Sequence, residues 1–347
     1  MIRKNTGGRN LKSEDIYATV KQLIQRHKEI KTGIKIKNLE INKDGFNNDI
    51  AIFNLTYSQD GETLSNEVVL KNFSGNNKND FENKKYTKEV QILKSNTINK
   101  FINLPNVYFE DEEKKIILMK KLEGVTLDKF YLAHPESTLF ALRKFGETLA
   151  HIHSVDTNAI RNYFNDDDLW QENYINLYIN SLKNRVMEFT DPEYLQILDT
   201  ISERFKAVEF NEVLNHGDYH FWNVIIADDA KLYILDWEKA RLGDYRYDIA
   251  NTLILGYSWF GINFKQNMLD GYQNITKKEI EHLDCFEALL SFDSFTKMVP
   301  LIQGADDSHI RDRSFEWLKR RYELFVRHNG KRIKKAEDYL TSKGLSL

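Results

Sequence analysis

The chain has 347 residues, 41% of them hydrophobic and 29% charged, with a net charge of −3 and a single cysteine, Cys285. This length supports about two domains and a substantial core. The charge balance gives no general attraction for nucleic acid or anionic membrane, and one cysteine excludes an internal disulfide. The first residues, MIRKNTGGRNLKSEDIY, lack the apolar core of a secretory signal. The longest apolar stretch, near Leu253 to Phe264, is too short and interrupted to span a bilayer. A cytoplasmic protein is expected.

Ile16, Val20, Leu23 and Ile24 recur at helical spacing after Ser13, an N-cap residue type, and predict a leading helix from Ser13 to Lys28. Three β-like runs follow, from Ile34 to Ile41, Ile50 to Tyr57 and Glu67 to Phe73. The Asp44-Gly45 and Asp60-Gly61 pairs between them are hairpin signals, so the chain opens as an antiparallel meander. A helix is predicted from Asp80 to Ser95, with Phe81, Tyr86, Val90 and Leu93 on its apolar side. Val107 to Phe109 and Ile116 to Met119 form a further hairpin, after which Met119-Lys120-Lys121-Leu122-Glu123-Gly124 leads out of the lobe.

Beyond Gly124 the pattern becomes helical. Leu139, Leu142, Phe145, Leu149 and Ile152 follow the 3.6 period, and Leu177 to Met187 and Pro192 to Phe205 read as two more helices. Between them lies the acidic, aromatic run NDDDLWQENY from Asn165. Such a run usually faces water; if Asp166, Asp167, Asp168 and Trp170 rim a cleft, they would draw a cationic acceptor. Helices are also predicted from Asp244 to Phe260, Ile280 to Phe295 and Ser314 to His328. The basic end, with Lys319, Arg320, Arg321 and Arg327, lacks interleaved aromatics and reads as a solvated helix face.

The chemistry concentrates between Leu214 and Ala250. His216-Gly217-Asp218-Tyr219-His220-Phe221-Trp222-Asn223 reads as a loop, followed by an apolar strand, a polar turn and a second strand that delivers Asp236. Asn223 and Asp236 offer the hard oxygen ligands that magnesium prefers, and Asp218 lies apart from them on the loop. Phosphoryl transfer needs this division: metal at the phosphates, and a separate carboxylate to orient and deprotonate the attacking hydroxyl. His216 and His220 are four apart, but Gly217 and Asn215 argue against the helix that zinc binding at that spacing would need.

The spelling H-G-D-x-H-x-x-N, then D-W-E at Asp236-Trp237-Glu238 and G-D-x-x-x-D-I-A from Gly243, resembles the aminoglycoside phosphotransferase and choline kinase-like family. The resemblance implies an α+β, bilobal protein-kinase-like fold: an antiparallel β-sheet N-lobe over residues 1–121 and a mostly helical C-lobe over 122–347. It implies transfer of the γ-phosphoryl group of ATP or GTP to a hydroxyl of a small molecule, with Asp218 as base and Asn223 and Asp236 holding Mg²⁺. Lys71, ending Val68-Val69-Leu70-Lys71, would cradle the phosphates with Glu89 as its candidate ion-pair partner and Glu82, two helical turns earlier, as the competitor. Backbone amides of Phe46 and Asn47 would cover the phosphates, and Met119, Lys120, Lys121 and Leu122 would form the hinge at the base. His216 and His220 would shape the loop, and the second acid of the late motif, Asp248, would buttress it. A non-catalytic nucleotide-binding or scaffold protein of the same fold is the alternative, although Asp218, Asn223, Asp236 and the strand lysine are all kept. A protein kinase fits less well, with Gly217 in place of arginine and Trp237-Glu238 in place of Phe-Gly.

Overall fold

The computed structural model describes residues 13–26, 30–42, 49–73, 80–170, 173–189, 191–261, 263–305 and 312–346. The chain begins with helix α1 (Ser13–Gln25) and strands β1 (Ile30–Asn42), β2 (Asp49–Gln59) and β3 (Glu62–Asn72). Helix α2 (Asp80–Leu93) and strands β4 (Val107–Asp111) and β5 (Ile116–Lys120) complete a five-stranded antiparallel sheet in the order β1-β2-β3-β5-β4. Asp60 and Gly61 both take positive φ, 50° and 83°, as a two-residue hairpin turn requires. Pairing therefore runs straight up to that turn, from Asp49–Asn72 to Gln59–Glu62, longer than the runs read from apolar residues alone.

Alternation dictates which face of this sheet is buried. Ala51, Phe53, Leu55 and Tyr57 of β2 point one way, with Val68 and Leu70 of β3, and α1 covers them with Ile16, Val20, Leu23 and Ile24. Burying an aliphatic side chain of this size contributes about 1.5–3 kcal/mol, so this small lobe has its own core. Tyr86, Ile92 and Leu93 of α2 pack instead with Phe73, Ile117 and Met119 into a larger core continuous with the second lobe.

The second lobe opens with β6 (Gly124–Thr126) and helices α3 (Leu127–Ala133), α4 (Thr138–His153) and α5 (Thr157–Ile160). Helices α6 (Tyr174–Val186) and α7 (Glu193–Arg204) precede strands β7 (Glu212–Asn215), β8 (Val224–Ala227), β9 (Leu232–Ile234) and β10 (Arg241–Asp244). Then come α8 (Tyr245–Phe260), α9 (Asn263–Thr276), α10 (Leu283–Thr296), α11 (Val299–Ile302), α12 (Asp312–Asn329) and α13 (Lys334–Ser342). The architecture is α+β, as the sequence implied. Strand β8 pairs with both β6 and β9, and β10 pairs with β7, so the loop after β7 is held at both ends by short antiparallel pairings. Helix α10 is buried almost all round, which explains its apolar sequence, and it packs with α7 and α12 through Phe292, Phe295, Tyr322 and Phe325. The sequence reading passed over helix α9, although Phe264, Met268 and Tyr272 recur four apart and are buried; Gly271 lets it lie against the Arg143 backbone, where a Cβ would meet the carbonyl oxygen at 2.0 Å. Among the described residues no helix is long and apolar enough to cross a membrane.

Candidate active site

The site lies where β3, α2 and the loop after β7 meet. Lys71 is on β3 opposite Ile50 and Ile117, and its side chain is buried. Its ammonium donates to Oε1 and Oε2 of Glu89 on α2, at 2.9 and 2.6 Å, and to Oδ1 of Asp236 at 2.7 Å. Burial alone would lower the lysine, but Glu89 and Asp236 outweigh it and hold the ammonium charged. Burial pushes the Glu89 carboxyl up to about 7 against the pull of Lys71. Asp236 follows β9 with φ 65° and ψ 63°, a left-handed backbone unusual for a side-chain-bearing residue, and this turn aims its carboxylate across the lobes at Lys71. Burial raises that carboxyl, and the Lys71 charge more than reverses the effect.

The loop after β7 is braced from behind. Asp248 of α8 is fully buried and accepts from the amides of His216 at 2.5 Å and Gly217 at 2.8 Å. Gly217 has φ 79°, and a Cβ there would meet the Lys239 carbonyl oxygen at 2.2 Å, so glycine is required. His216 donates from Nε2 to the Leu235 carbonyl at 2.9 Å and accepts at Nδ1 from the Asp218 amide at 3.3 Å. Those roles fix the neutral tautomer, and burial lowers the imidazole's pKa in agreement. Further along, Tyr219 donates to the Phe145 carbonyl on α4 at 2.8 Å, and its own carbonyl accepts from Thr252 Oγ1 at 2.7 Å.

Asp218 projects from this frame. Lys239 donates to its Oδ2 at 2.7 Å, and His220 Nε2 lies 3.7 Å from its Oδ1. Burial would raise this carboxyl; His220 and Lys239 outweigh it and hold Asp218 well below the usual carboxylate range. Asn223 donates from Nδ2 to the Asp218 carbonyl at 3.1 Å, which turns its Oδ1 the other way, and its own carbonyl accepts from the Leu235 amide at 2.9 Å. The metal-ligand candidates Asn223 and Asp236 are thus tied together through the backbone. Among the described residues no three His, Cys, Asp or Glu side chains converge as a metal site. An amide oxygen and one carboxylate suit magnesium that is held largely by phosphates and water.

At the hinge, Met119 is buried in the core. The amides of Lys120 and Lys121 are already engaged, donating to Asn106 O at 2.8 Å and Glu67 O at 3.0 Å. The Leu122 amide has no acceptor among the described residues. Phe46 and Asn47 lie outside the described residues.

The acids proposed to meet a cationic acceptor are placed differently from that expectation. Asp167 and Asp168 accept from Lys84 at 2.9 Å and Lys88 at 2.7 Å, both on α2, while Asp166 is exposed. Trp170 is buried, stacked on Tyr174, with the Arg241 guanidinium over its ring at 3.9 Å. The face open to a cation–π contact is therefore occupied from within. Sequence reading missed Lys239, Arg241 and the third link of α2 to the C-lobe, Lys85–Glu238 at 3.4 Å. The first two lie three and five residues past Asp236, and only the tight turn at Trp237–Lys239 bends them back to the loop.

Comparison with known proteins agrees with this geometry. The solved structure of a macrolide 2'-phosphotransferase type I aligns with a TM-score of 0.60 at 18% identity, covering 96% of this chain and 97% of that one. Choline kinase LicA from Streptococcus pneumoniae aligns at 0.56 and 14% identity, over 91% of this chain and all of that one (100%). The streptomycin–ATP–APH(2")-IIa ternary complex aligns at 0.54 and 18% identity, over 91% and 99%. These likenesses establish the two-lobed phosphotransferase fold. No curated protein sequence matches the chain. The model of the phosphotransferase enzyme family matches residues 53–284, a span that contains Lys71, Glu89, the loop after β7 and Asp236. The chain therefore belongs to the phosphotransferase enzyme family.

Proposed function

We propose that the protein transfers the γ-phosphoryl group of ATP or GTP to a hydroxyl of a small molecule. The observation that carries this reading is the three-way meeting of Lys71, Glu89 and Asp236, which joins a strand and a helix of one lobe to the C-lobe residue after β9. An ammonium held between two carboxylates at a cleft is poised to exchange one of them for phosphate oxygens. The solved complex with streptomycin and ATP, a protein of the same fold, supports a nucleotide in this cleft. Asn223 and Asp236 would be the protein ligands of a magnesium ion, which when bound neutralises the phosphates.

Asp218 is the group that meets the acceptor. Its Oδ2 is taken by Lys239, so Oδ1, on the His220 side, receives the hydroxyl's hydrogen bond. A carboxyl held this low is a weak base; it first orients the hydroxyl and takes its proton at Oδ1 as the bond to phosphorus forms. Asp218→Asn keeps the shape and removes the proton acceptor. Single-turnover transfer should fall by about a hundred- to ten-thousand-fold with Mg-ATP affinity unchanged. Turnover within threefold of the parent would remove Asp218 from this role.

A further inference from the structure

We propose that the acceptor is a hydroxyl compound bearing a carboxylate, with its hydroxyl at Asp218 and its negative group on Arg241. This rests on the phosphotransferase reading and assigns its acceptor class. A wall of rings stands beside the catalytic loop. Trp170 stacks on Tyr174, with ring centroids 3.4 Å apart and planes 12° from parallel, and Tyr247 meets Trp170 edge-on at 4.6 Å. The Arg241 guanidinium lies across this wall, 3.9 Å from the Trp170 ring and 5.5 Å from that of Tyr247. It also reaches the loop itself, with one terminal nitrogen 3.0 Å from where a Cβ on Gly217 would stand. Gly217 immediately precedes Asp218, so the guanidinium and the catalytic carboxylate are neighbours.

The charges around this wall are unevenly matched. Asp218 carries Lys239, Asp168 carries Lys88, and Asp293 on α10 carries both Arg185 at 2.7 Å and Lys297 at 2.6 Å. Arg241, by contrast, spends only Nε, on the Lys239 carbonyl at 3.2 Å, and forms no ion pair among the described residues. Tyr247 adds no negative charge, because burial pushes its phenol up to about 12 despite Arg241. Among the described residues, Asp218, Asp168 and Asp293 are already paired, so an arriving cation would compete with a lysine or arginine for each. An arriving carboxylate finds a planar guanidinium over the Trp170 ring, with neither terminal nitrogen in a hydrogen bond among the described residues and so open to a fork-to-fork pair. The ring wall suits the apolar face of a sugar or carbocycle on the same ligand.

The test uses the full chain and matched probes: D-glucuronate, D-quinate and 3-(hydroxymethyl)benzoate, each against its own primary amide. Binding is read by ligand-observed NMR with Mg-ADP present, and transfer from Mg-ATP by phosphorus NMR. At least one acid should bind about tenfold or more tighter than its amide, the scale of a charge-assisted pair. Arg241→Gln should bring acid and amide within about twofold, and Arg241→Lys should restore part of the difference. Mg-ATP affinity serves as the folding control for both variants. No acid preference, or one that survives Arg241→Gln, overturns the proposal. Arg241-dependent acid binding without transfer would leave the acceptor site standing and remove the phosphotransferase reading. Transfer to amides and acids alike would do the reverse.

Discussion

Lys239 holds the carboxylate proposed as the base: its ammonium donates to Oδ2 of Asp218 at 2.7 Å from a tight turn that starts just after Asp236. One short segment thus places a metal-ligand candidate and the residue that fixes the base. Lys239 is a positioning residue, and its removal has a signed consequence.

In Lys239→Met, burial of Asp218 is opposed by His220 without the ammonium of Lys239, so the carboxyl titrates at a higher pH than in the parent. The acid limb of the kcat/KM profile should move upward in pH, and Lys239→Arg should bring it back. The same depressed carboxyl stabilises the fold above its unfolded value of about 3.9, and that contribution is lost as pH falls through the folded value. The acid-unfolding midpoint of Lys239→Met should therefore also rise. An unmoved acid limb would show that Lys239 does not tune Asp218.

Asp248→Ala leaves the amides of His216 and Gly217 without acceptors in a fully buried position. A buried unsatisfied donor costs about 1–3 kcal/mol, so urea unfolding should report a loss of about 3 kcal/mol or more. Transfer should fall with it, because Asp218 hangs from the same turn. Asp248→Asn, which keeps one acceptor oxygen, should lose less of both.

Asp236→Ala removes a charged ligand and a Lys71 partner together, and Asn223→Ala removes a neutral oxygen. Calorimetry with Mg-ATP should show the larger loss for Asp236→Ala, at least about tenfold, against a few-fold for Asn223→Ala. Equal affinities in all three proteins would place the metal elsewhere.

Helix α2 is fastened to the C-lobe by Lys84–Asp167, Lys85–Glu238 and Lys88–Asp168. Lys88 is buried, and burial lowers its pKa even with Asp168 beside it. Asp168→Asn should strip that support from the helix that carries Glu89 and raise the nucleotide KM by about three- to tenfold, while the acceptor KM stays put. The opposite pattern would return Asp168 to the acceptor side.

The spacing of Asp218, Asn223 and Asp236, and the strand ending at Lys71, were legible because each depends on residues near in sequence. The expected Lys71–Glu89 ion pair is present, since a buried strand lysine facing a helix admits few partners. The ion pairs of the acidic run were not legible, because its partners, Lys84 and Lys88, precede it by 83 and 80 residues. Arg241 was invisible for a related reason: a strand residue becomes a site residue only once β10 pairs with β7 beside the loop.

Tyr219 shares a stacked contact with Phe145, centroids 4.3 Å apart, and Gly146, the next residue on α4, admits the Met268 backbone of α9 where a Cβ would meet its carbonyl oxygen at 1.9 Å. The loop that carries Asp218 is therefore seated on a pair of helices, α4 and α9, whose backbones meet at Gly146 and Gly271. Loosening it requires parting two helices that touch through their main chains, so it behaves as an anvil. The amide protons of this loop should accordingly exchange later than those of the first-lobe strands, whose core is separate.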